Sequence, residues 1–211
     1  MMPSEKFRWC AMILVGAIVL IYFSQLAFPA QAEYFVLDSS KIMERPWTVL
    51  TYMLLHGSFS HLFFNMFALA LFGSMLEAIV GWKNFLIVFF STGIFSGIVS
   101  VFFYSGVLGA SGAIFGVLGV LGMIRPKMGV LAMGVPMPMV AAIIIWAALD
   151  LFGVFYPDQT AHFGHLAGLV FGLIVGLLLR KKYKIIEKKE KKFVLTDDEF
   201  KRWEETYMGK G

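Results

Sequence analysis

The stretch Gly109-Ala110-Ser111-Gly112 opens an apolar run that closes at Arg125-Pro126-Lys127. The run predicts a helix over 111–124 that begins at the serine. At about 1.5 Å per residue this helix is about 21 Å long, against a hydrocarbon core of about 30 Å. With its basic end at the membrane surface, the serine lies about 10 Å inside the opposite face. Helix N-termini carry partial positive charge and free N–H groups, so this position suits a developing oxyanion.

The composition places the chain among polytopic membrane proteins. Of 211 residues, 59% are hydrophobic and 15% are charged, and long apolar runs of this kind are typical of membrane spans. Residues 180–211 hold 11 of the 18 basic and 7 of the 14 acidic side chains, so the whole net charge of +4 belongs to this tail. A basic tail of this kind indicates contact with a membrane surface and not with nucleic acid.

Six apolar segments predict an all-α polytopic membrane protein with six transmembrane helices. The predicted spans are 9–28, 59–80, 85–104, 111–124, 130–152 and 161–179. A secretory signal peptide is the alternative for the first, since Ala30-Gln31-Ala32 resembles a cleavage site, but a run of about 20 residues favours a retained helix. We expect a membrane domain at 1–180 and a polybasic, then amphipathic, tail at 181–211.

The distribution of basic residues predicts the orientation in a cell membrane. Lys6, Arg8, Lys83, Arg125, Lys127 and the Arg180 cluster fall on one side, which places both termini in the cytoplasm. The sequence contains no repeat of inverted topology, and this weakens a transporter interpretation. The loop 29–46 mixes charged and apolar residues, as short helices in the headgroup layer do. In the tail, Thr196-Asp197-Asp198-Glu199 predicts a capping box.

Two polar side chains from different helices share one depth in the membrane. Ser111 lies 14 residues before Arg125, and His165 lies 15 residues before Arg180. At about 1.5 Å per residue both side chains are about 21–23 Å from the cytoplasmic surface. A shared depth is the first requirement for a histidine to reach a serine and activate it as a nucleophile.

Glycines predict that these two helices approach closely. Span four carries Gly112, Gly116 and Gly119, and span six carries glycines at steps of four from Gly168. Small residues at such spacing let helix backbones meet. If the two glycine faces meet, Ser111 and the histidine of span six come within hydrogen-bond reach.

A third polar element lies near the start of span two. His61 and Asn65 are four residues apart and share a helix face. A neutral imidazole and a carboxamide can both donate to an oxyanion. His56 precedes them. As an alternative, the four histidines near one face are possible ligands of zinc or haem, but no His-Glu-x-x-His pattern is present and we see no acid beside them except Asp158. We therefore predict no metal and no cofactor.

Three motifs in this order resemble the rhomboid intramembrane serine proteases. They are His56-Gly-Ser-Phe-Ser-His61-Leu-Phe-Phe-Asn65, then Gly109-Ala-Ser111-Gly112, then His162-Phe-Gly-His165-Leu-Ala-Gly168. Arg45-Pro46-Trp47 is similar to the first-loop signature of the family. The resemblance covers about residues 9–180 and implies the minimal six-span, rhomboid-like bundle of prokaryotes.

The resemblance also implies roles for single residues. Ser111 is then the nucleophile and His165 the general base of a dyad without an acid. His61, Asn65 and the Ser111 backbone N–H form the oxyanion hole. Supporting positions are those that shape the serine loop, pack the helices or orient the base: Gly109, Gly112, Phe115, His56 and Gly168.

The remaining polar residues are expected to lie outside the dyad. A buried carboxylate carries a large desolvation cost, so we interpret Asp150 as a structural or gating group. Glu77 is interpreted as structural, bonding to backbone or loop groups, and His162 as a structural or rim residue.

The implied activity is cleavage of transmembrane segments of other membrane proteins in the lipid bilayer. Substrates enter laterally past span five, with Trp146, Phe152 and Phe155 as candidates for the gate. The alternatives are an inactive relative that binds membrane clients, which the retained serine and histidine disfavour, and a transporter. The oligomeric state, the natural substrate and the cleavage site do not follow from the sequence.

Overall fold

Apolar segments of this chain form helices, because a backbone in hydrocarbon must satisfy its polar groups internally. The computed structural model describes residues 8–156, 158, 160–190 and 196–208. In the first half the helices are α1 (Cys10–Ala27), α2 (Pro29–Ala32), α3 (Thr48–Thr51), α4 (Phe59–Ala68), α5 (Ser74–Val80) and α6 (Trp82–Ser100). In the second half they are α7 (Ser111–Ile124), α8 (Met139–Gly153), α9 (His162–Glu190) and α10 (Asp197–Tyr207).

Within the described residues, four helical segments are long and apolar enough to cross a membrane. They are Cys10–Ala27, Phe59–Val80, Trp82–Ser100 and His162–Tyr183. In the second of these, a π-helical segment at Leu69–Gly73 joins α4 to α5. The apolar helices α7 and α8 are shorter, with 14 and 15 residues. The all-α polytopic architecture is thus confirmed, and the count of six crossings stays a prediction.

The predicted fifth span begins later than expected. The range 130–152 was predicted as one helix, but its first part forms a hairpin of β3 (Gly129–Ala132) and β4 (Val135–Pro138). Met133 and Gly134 both have positive φ, at 53° and 79°. Two residues of positive φ make the tight turn that suits a two-residue hairpin loop, and the prolines at 136 and 138 disfavour a helix interior. The helix α8 therefore starts only at Met139.

The loop between the first two spans is ordered against the bundle. As predicted, it holds short helices, namely α2 and a 3₁₀ turn at Glu33–Phe35. The strands β1 (Leu37–Asp38) and β2 (Gly106–Val107) pair antiparallel, with Leu37 opposite Val107. Val107 lies just before α7, so this pairing ties the loop to the segment that leads into Ser111.

Helix α7 is the centre of the bundle. All of its residues are buried except Ser111, Phe115 and Met123. The helices α6 and α9 pack along it. Because glycines line its contact with α9, the backbones approach closely: a Cβ at Gly168 or Gly172 would overlap a backbone carbonyl of α7. The predicted meeting of the two glycine faces is confirmed.

Glu77 has the structural role expected of it. Its side chain is 1% exposed, and its carboxylate accepts hydrogen bonds from the backbone N–H groups of Arg8, Cys10 and Ala11 at 2.9–3.1 Å. These are orphan donors at the start of α1, and a carboxylate is the favoured partner for them. One buried acid of α5 therefore fixes the N-terminus of α1.

The tail begins within α9, which continues to Glu190 beyond the boundary predicted at residue 180. Further on, the capping box is confirmed, with the Thr196 hydroxyl accepting from the Glu199 backbone and the Glu199 carboxylate accepting from Thr196. Lys6 and residues 191–195, which the sequence interpretation assigned to the membrane surface, lie outside the described residues.

Candidate active site

The loop before α7 presents Ser111 at the first position of the helix. Gly109 has φ +120°, a conformation that a side chain would strain. A Cβ there would also approach the His61 ring to 2.7 Å. The Gly109 N–H donates to the carbonyl of Tyr52 at 3.0 Å. Glycine at position 109 therefore lets the loop run close to the His61 ring.

His165 lies within hydrogen-bond distance of the serine. Its Nε2 is 2.6 Å from the Ser111 Oγ, so the predicted contact is present. Phe115 stacks on the imidazole, with ring centroids 4.6 Å apart and planes inclined by 10°. Because Phe115 is one helical turn after the serine, α7 supplies both the hydroxyl and the surface that orients the histidine.

Asp150 also reaches the histidine, and here the sequence interpretation is wrong. We expected no acid beside the histidines except Asp158, but the Asp150 Oδ1 lies 2.9 Å from the His165 Nδ1. The same oxygen lies 2.6 Å from the His162 Nδ1. This carboxylate is only 6% exposed, but two imidazole nitrogens that can donate to it lie within hydrogen-bond distance, and this offsets the desolvation cost.

The chain of contacts continues to the protein surface. The His162 Nε2 lies 3.2 Å from the carboxylate of Asp158, whose side chain is 51% exposed. Polar groups therefore run without a break from Ser111 through two histidines and two carboxylates to solvent. Sequence spacing did not reveal this because Asp150 comes from α8, whose face toward α9 depends on tertiary packing.

His61 and Asn65 line the same cavity as the serine, and their oxyanion-hole role stays a prediction. Ser58 caps α4 by accepting from the His61 N–H at 3.1 Å. The Asn65 Nδ2 donates to the His61 carbonyl at 2.8 Å, which leaves its second N–H for another acceptor. Its Oδ1 is buried without a hydrogen-bond partner among the described residues. Both side chains face the cavity that contains the Ser111 hydroxyl.

His56 packs against His61 and helps to hold its ring in place. Its side chain is fully buried and packs edge-on against His61, with ring centroids 5.0 Å apart. Burial lowers the pKa of His56 to about 3, so the ring stays neutral at physiological pH. Gln25 of α1 holds the His56 backbone with a hydrogen bond to each of its polar groups, at 2.8 and 3.2 Å.

A polar cavity of about 890 Å³ opens above the serine. Its lining includes the predicted residues His61, Asn65 and His165, and also Ser96 and Ser100 of α6, which the sequence analysis missed. Ser96 donates to the carbonyl of residue 164 at 2.8 Å. The spacing of Thr92, Ser96 and Ser100 by four residues was a visible signal, since it places three hydroxyls on one face of an apolar helix.

The metal alternative, which the sequence disfavours, requires a correction as well. It grouped all four histidines, but among the described residues the donors that converge are Asp150, His162 and His165, whose ligand atoms lie within 4.8 Å of one another. His56 and His61 form a separate pair. Asp150 is the residue that the sequence argument left out.

These features define a class: a helical membrane protein with a serine–histidine pair at the base of a polar cavity. Comparison with known proteins agrees. The model of the Rhomboid domain matches residues 43–182. YdcA of Bacillus subtilis is 32% identical over 151 residues, which cover 70% of this chain and 71% of the relative. The rhomboid protease GlpG of Haemophilus influenzae is 26% identical over 186 residues, covering 82% and 92%. The chain belongs to the rhomboid family of serine-type intramembrane endopeptidases.

Proposed function

We propose that Ser111 and His165 are the catalytic pair of this protease. The observation that carries the proposal is the 2.6 Å contact between the Ser111 Oγ and the His165 Nε2. Asp150 accepts from the Nδ1–H of the same ring. That hydrogen bond holds the tautomer whose Nε2 carries the lone pair, which is the form able to accept the serine proton.

In the proposed reaction the hydroxyl proton passes to the His165 Nε2 as the Ser111 Oγ attacks a peptide carbonyl. The resulting oxyanion is stabilised by the Ser111 backbone N–H, the His61 ring and the second N–H of Asn65. His165 then gives its proton to the leaving amine, and a water molecule from the cavity hydrolyses the acyl-enzyme by the same route. His61 and Asn65 thus act only where negative charge develops.

The proposed substrates are transmembrane segments of other membrane proteins. A peptide bond inside a helix is closed to attack, so the segment must unwind near the serine, and helix-breaking residues favour this. We infer entry past α8, because this helix packs mainly against α7 and α9 and exposes a row of large apolar side chains. Of the gate candidates, Phe152 belongs to this exposed row and Phe155 is exposed just after α8. The third, Trp146, contacts Phe72 across the bundle.

The proposed setting is a cell membrane with both termini in the cytoplasm. Arg125 and Lys127 follow α7, and Arg180 to Lys182 lie on α9 at the end away from His165. An excess of basic residues marks the cytoplasmic side. The cavity and Asp158 then face the opposite compartment.

Fluorophosphonate labelling tests the pair, since the reagent modifies an activated serine without a known substrate. We expect the purified protein to be modified at Ser111, and Ser111→Ala and His165→Ala to abolish labelling while circular dichroism stays unchanged. Ser74→Ala, which removes a hydroxyl from α5, is the matched control and should label normally. Labelling of His165→Ala at the wild-type rate would remove the histidine from the mechanism. Failure to label in both detergent and lipid would favour a client-binding protein.

A further inference from the structure

We propose that Asp150, His162 and His165 form a zinc site through which the cation inhibits the protease. The inference deepens the proposed function, because it rests on His165 acting as the base. Its starting point is the convergence of two imidazole nitrogens and one carboxylate oxygen within 4.8 Å. Two histidines and a carboxylate are a donor set that zinc takes in proteins.

The geometry is close to what the ion requires. The Oδ1 of Asp150 lies 2.6 Å from the His162 Nδ1 and 2.9 Å from the His165 Nδ1. Tetrahedral zinc with ligands at about 2.1 Å places neighbouring donors about 3.4 Å apart. The two oxygen–nitrogen distances therefore need to lengthen by less than about 1 Å. The distance between the two Nδ1 atoms, at most 4.8 Å, needs to shorten by less than about 1.5 Å, and both adjustments are of the size that side-chain rotation supplies.

The surroundings of His162 match those of a metal-bound histidine. Such a ring almost always donates its second N–H to a carboxylate or carbonyl, which fixes its orientation. The His162 Nε2 faces the Asp158 carboxylate at 3.2 Å. Asp158 is half-exposed and lines the open cavity, so the site has a route to solvent. Water fills the fourth position, as at zinc sites with three protein ligands.

Zinc at this position switches off the proposed base. The cation takes the lone pair of the His165 Nδ1, so the proton of the neutral ring moves to Nε2. An Nε2 that carries a proton cannot accept the one from Ser111. On His162 the proton of the neutral ring likewise moves from Nδ1 to Nε2, where it is donated to the Asp158 carboxylate. Inhibition therefore requires no movement of the backbone.

The donor chemistry selects among cations. Imidazole nitrogens suit zinc and copper, whereas magnesium and calcium prefer oxygen ligands. One carboxylate with two imidazoles therefore excludes magnesium at millimolar concentration and binds zinc.

Equilibrium dialysis against zinc, on the Ser111→Ala protein in detergent, measures binding apart from catalysis. We expect one zinc per chain. Adding His162→Gln should abolish this binding, and Asp158→Asn, which changes only the outer partner, should weaken it by about 10–100-fold. Glu44→Gln, at an exposed carboxylate of the first loop, is the control and should bind like the parent. Equal binding by the parent and the His162→Gln protein would overturn the site.

Labelling rates with and without zinc test inhibition. The ratio of the two rates is compared between proteins, so any change in basal rate cancels. We expect zinc to slow fluorophosphonate labelling at least tenfold in the wild-type chain, a chelator to restore it, and His162→Gln to be insensitive. Magnesium should have no effect in either protein. If labelling proceeds at the same rate with and without zinc, only the zinc inference is overturned. If the protein is not labelled even in the absence of zinc, the proposed function is overturned.

Discussion

At the scale of single residues, the side chains of His61 and Asn65 on the second span are held in place in different ways. The His61 ring is wedged between Gly109 and His56, so its position is fixed by packing. Asn65 is fixed by its own helix, because one N–H already donates to the His61 carbonyl. Its remaining N–H is the part available to an oxyanion.

Removing that donor gives a quantitative prediction. Asn65→Ala should lower kcat for a cleaved substrate by about 10²–10³, the usual loss for one oxyanion-hole donor, and should leave KM nearly unchanged. Steady-state cleavage in detergent measures both. Asn84→Ala is the control, since that asparagine also donates to a carbonyl four residues earlier, at 2.8 Å, but lies outside the cavity lining. A larger loss in the control than in Asn65→Ala would contradict the assignment.

How far the sequence predicts the site depends on where each contact originates. Ser111 and His165 could be paired in advance because both lie on helices with basic ends that define depth. Asp150 could not, since its distance to His165 is set by how α8 rotates against α9. A charged side chain in an apolar run indicates a function, but the run itself does not identify its partner.

At the scale of elements, the glycine contact between α7 and α9 holds the proposed catalytic pair together. Gly172→Ala should lower the free energy of unfolding by about 1–3 kcal/mol, because the added Cβ meets the backbone of Gly116, which cannot give way. Thermal unfolding in detergent measures the change. The matched control is Gly16→Ala on α1, where a Cβ meets nothing within 4 Å. The control should be neutral or slightly stabilised, and similar losses in both proteins would show that close packing is not the cause.

The bounds of the elements were predictable where strong local signals mark them. Helix α7 starts at Ser111 and ends at Ile124 as predicted, because a glycine loop precedes it and Arg125-Pro126 follows. The hairpin at 129–138 was missed because its valines, leucine and methionines are also typical of a membrane-spanning helix. Hydropathy measures transfer from water and does not distinguish an apolar strand from an apolar helix.

At the scale of the whole molecule, α8 is the proposed gate through which a substrate reaches the cavity. Trp146 packs edge-on against Phe72, with ring centroids 5.7 Å apart, and this contact joins α8 to the second span. An aromatic pair of this kind contributes about 0.5–1.5 kcal/mol beyond its buried area. Its loss should therefore raise the fraction of open molecules by about two- to tenfold.

Trp146→Ala should accordingly speed cleavage of a transmembrane substrate by about two- to tenfold without changing the rate of fluorophosphonate labelling, because the small reagent enters through the cavity. Paired assays on one preparation in lipid measure both rates. Leu149→Ala, on the same helix but 51% exposed, should leave both unchanged. If Trp146→Ala slows cleavage, α8 is not the gate.

The capping of α1 by Glu77 has a consequence for the order of assembly. Residues 8–11 leave the ribosome more than sixty residues before Glu77, so the first helix enters the membrane with its leading amide groups still hydrated. Those amides exchange water for the carboxylate only once the second span has been inserted beside them. Docking of the first helix is therefore coupled to completion of a later one, and a nascent chain halted before Glu77 should present an N-terminus that remains accessible to proteases.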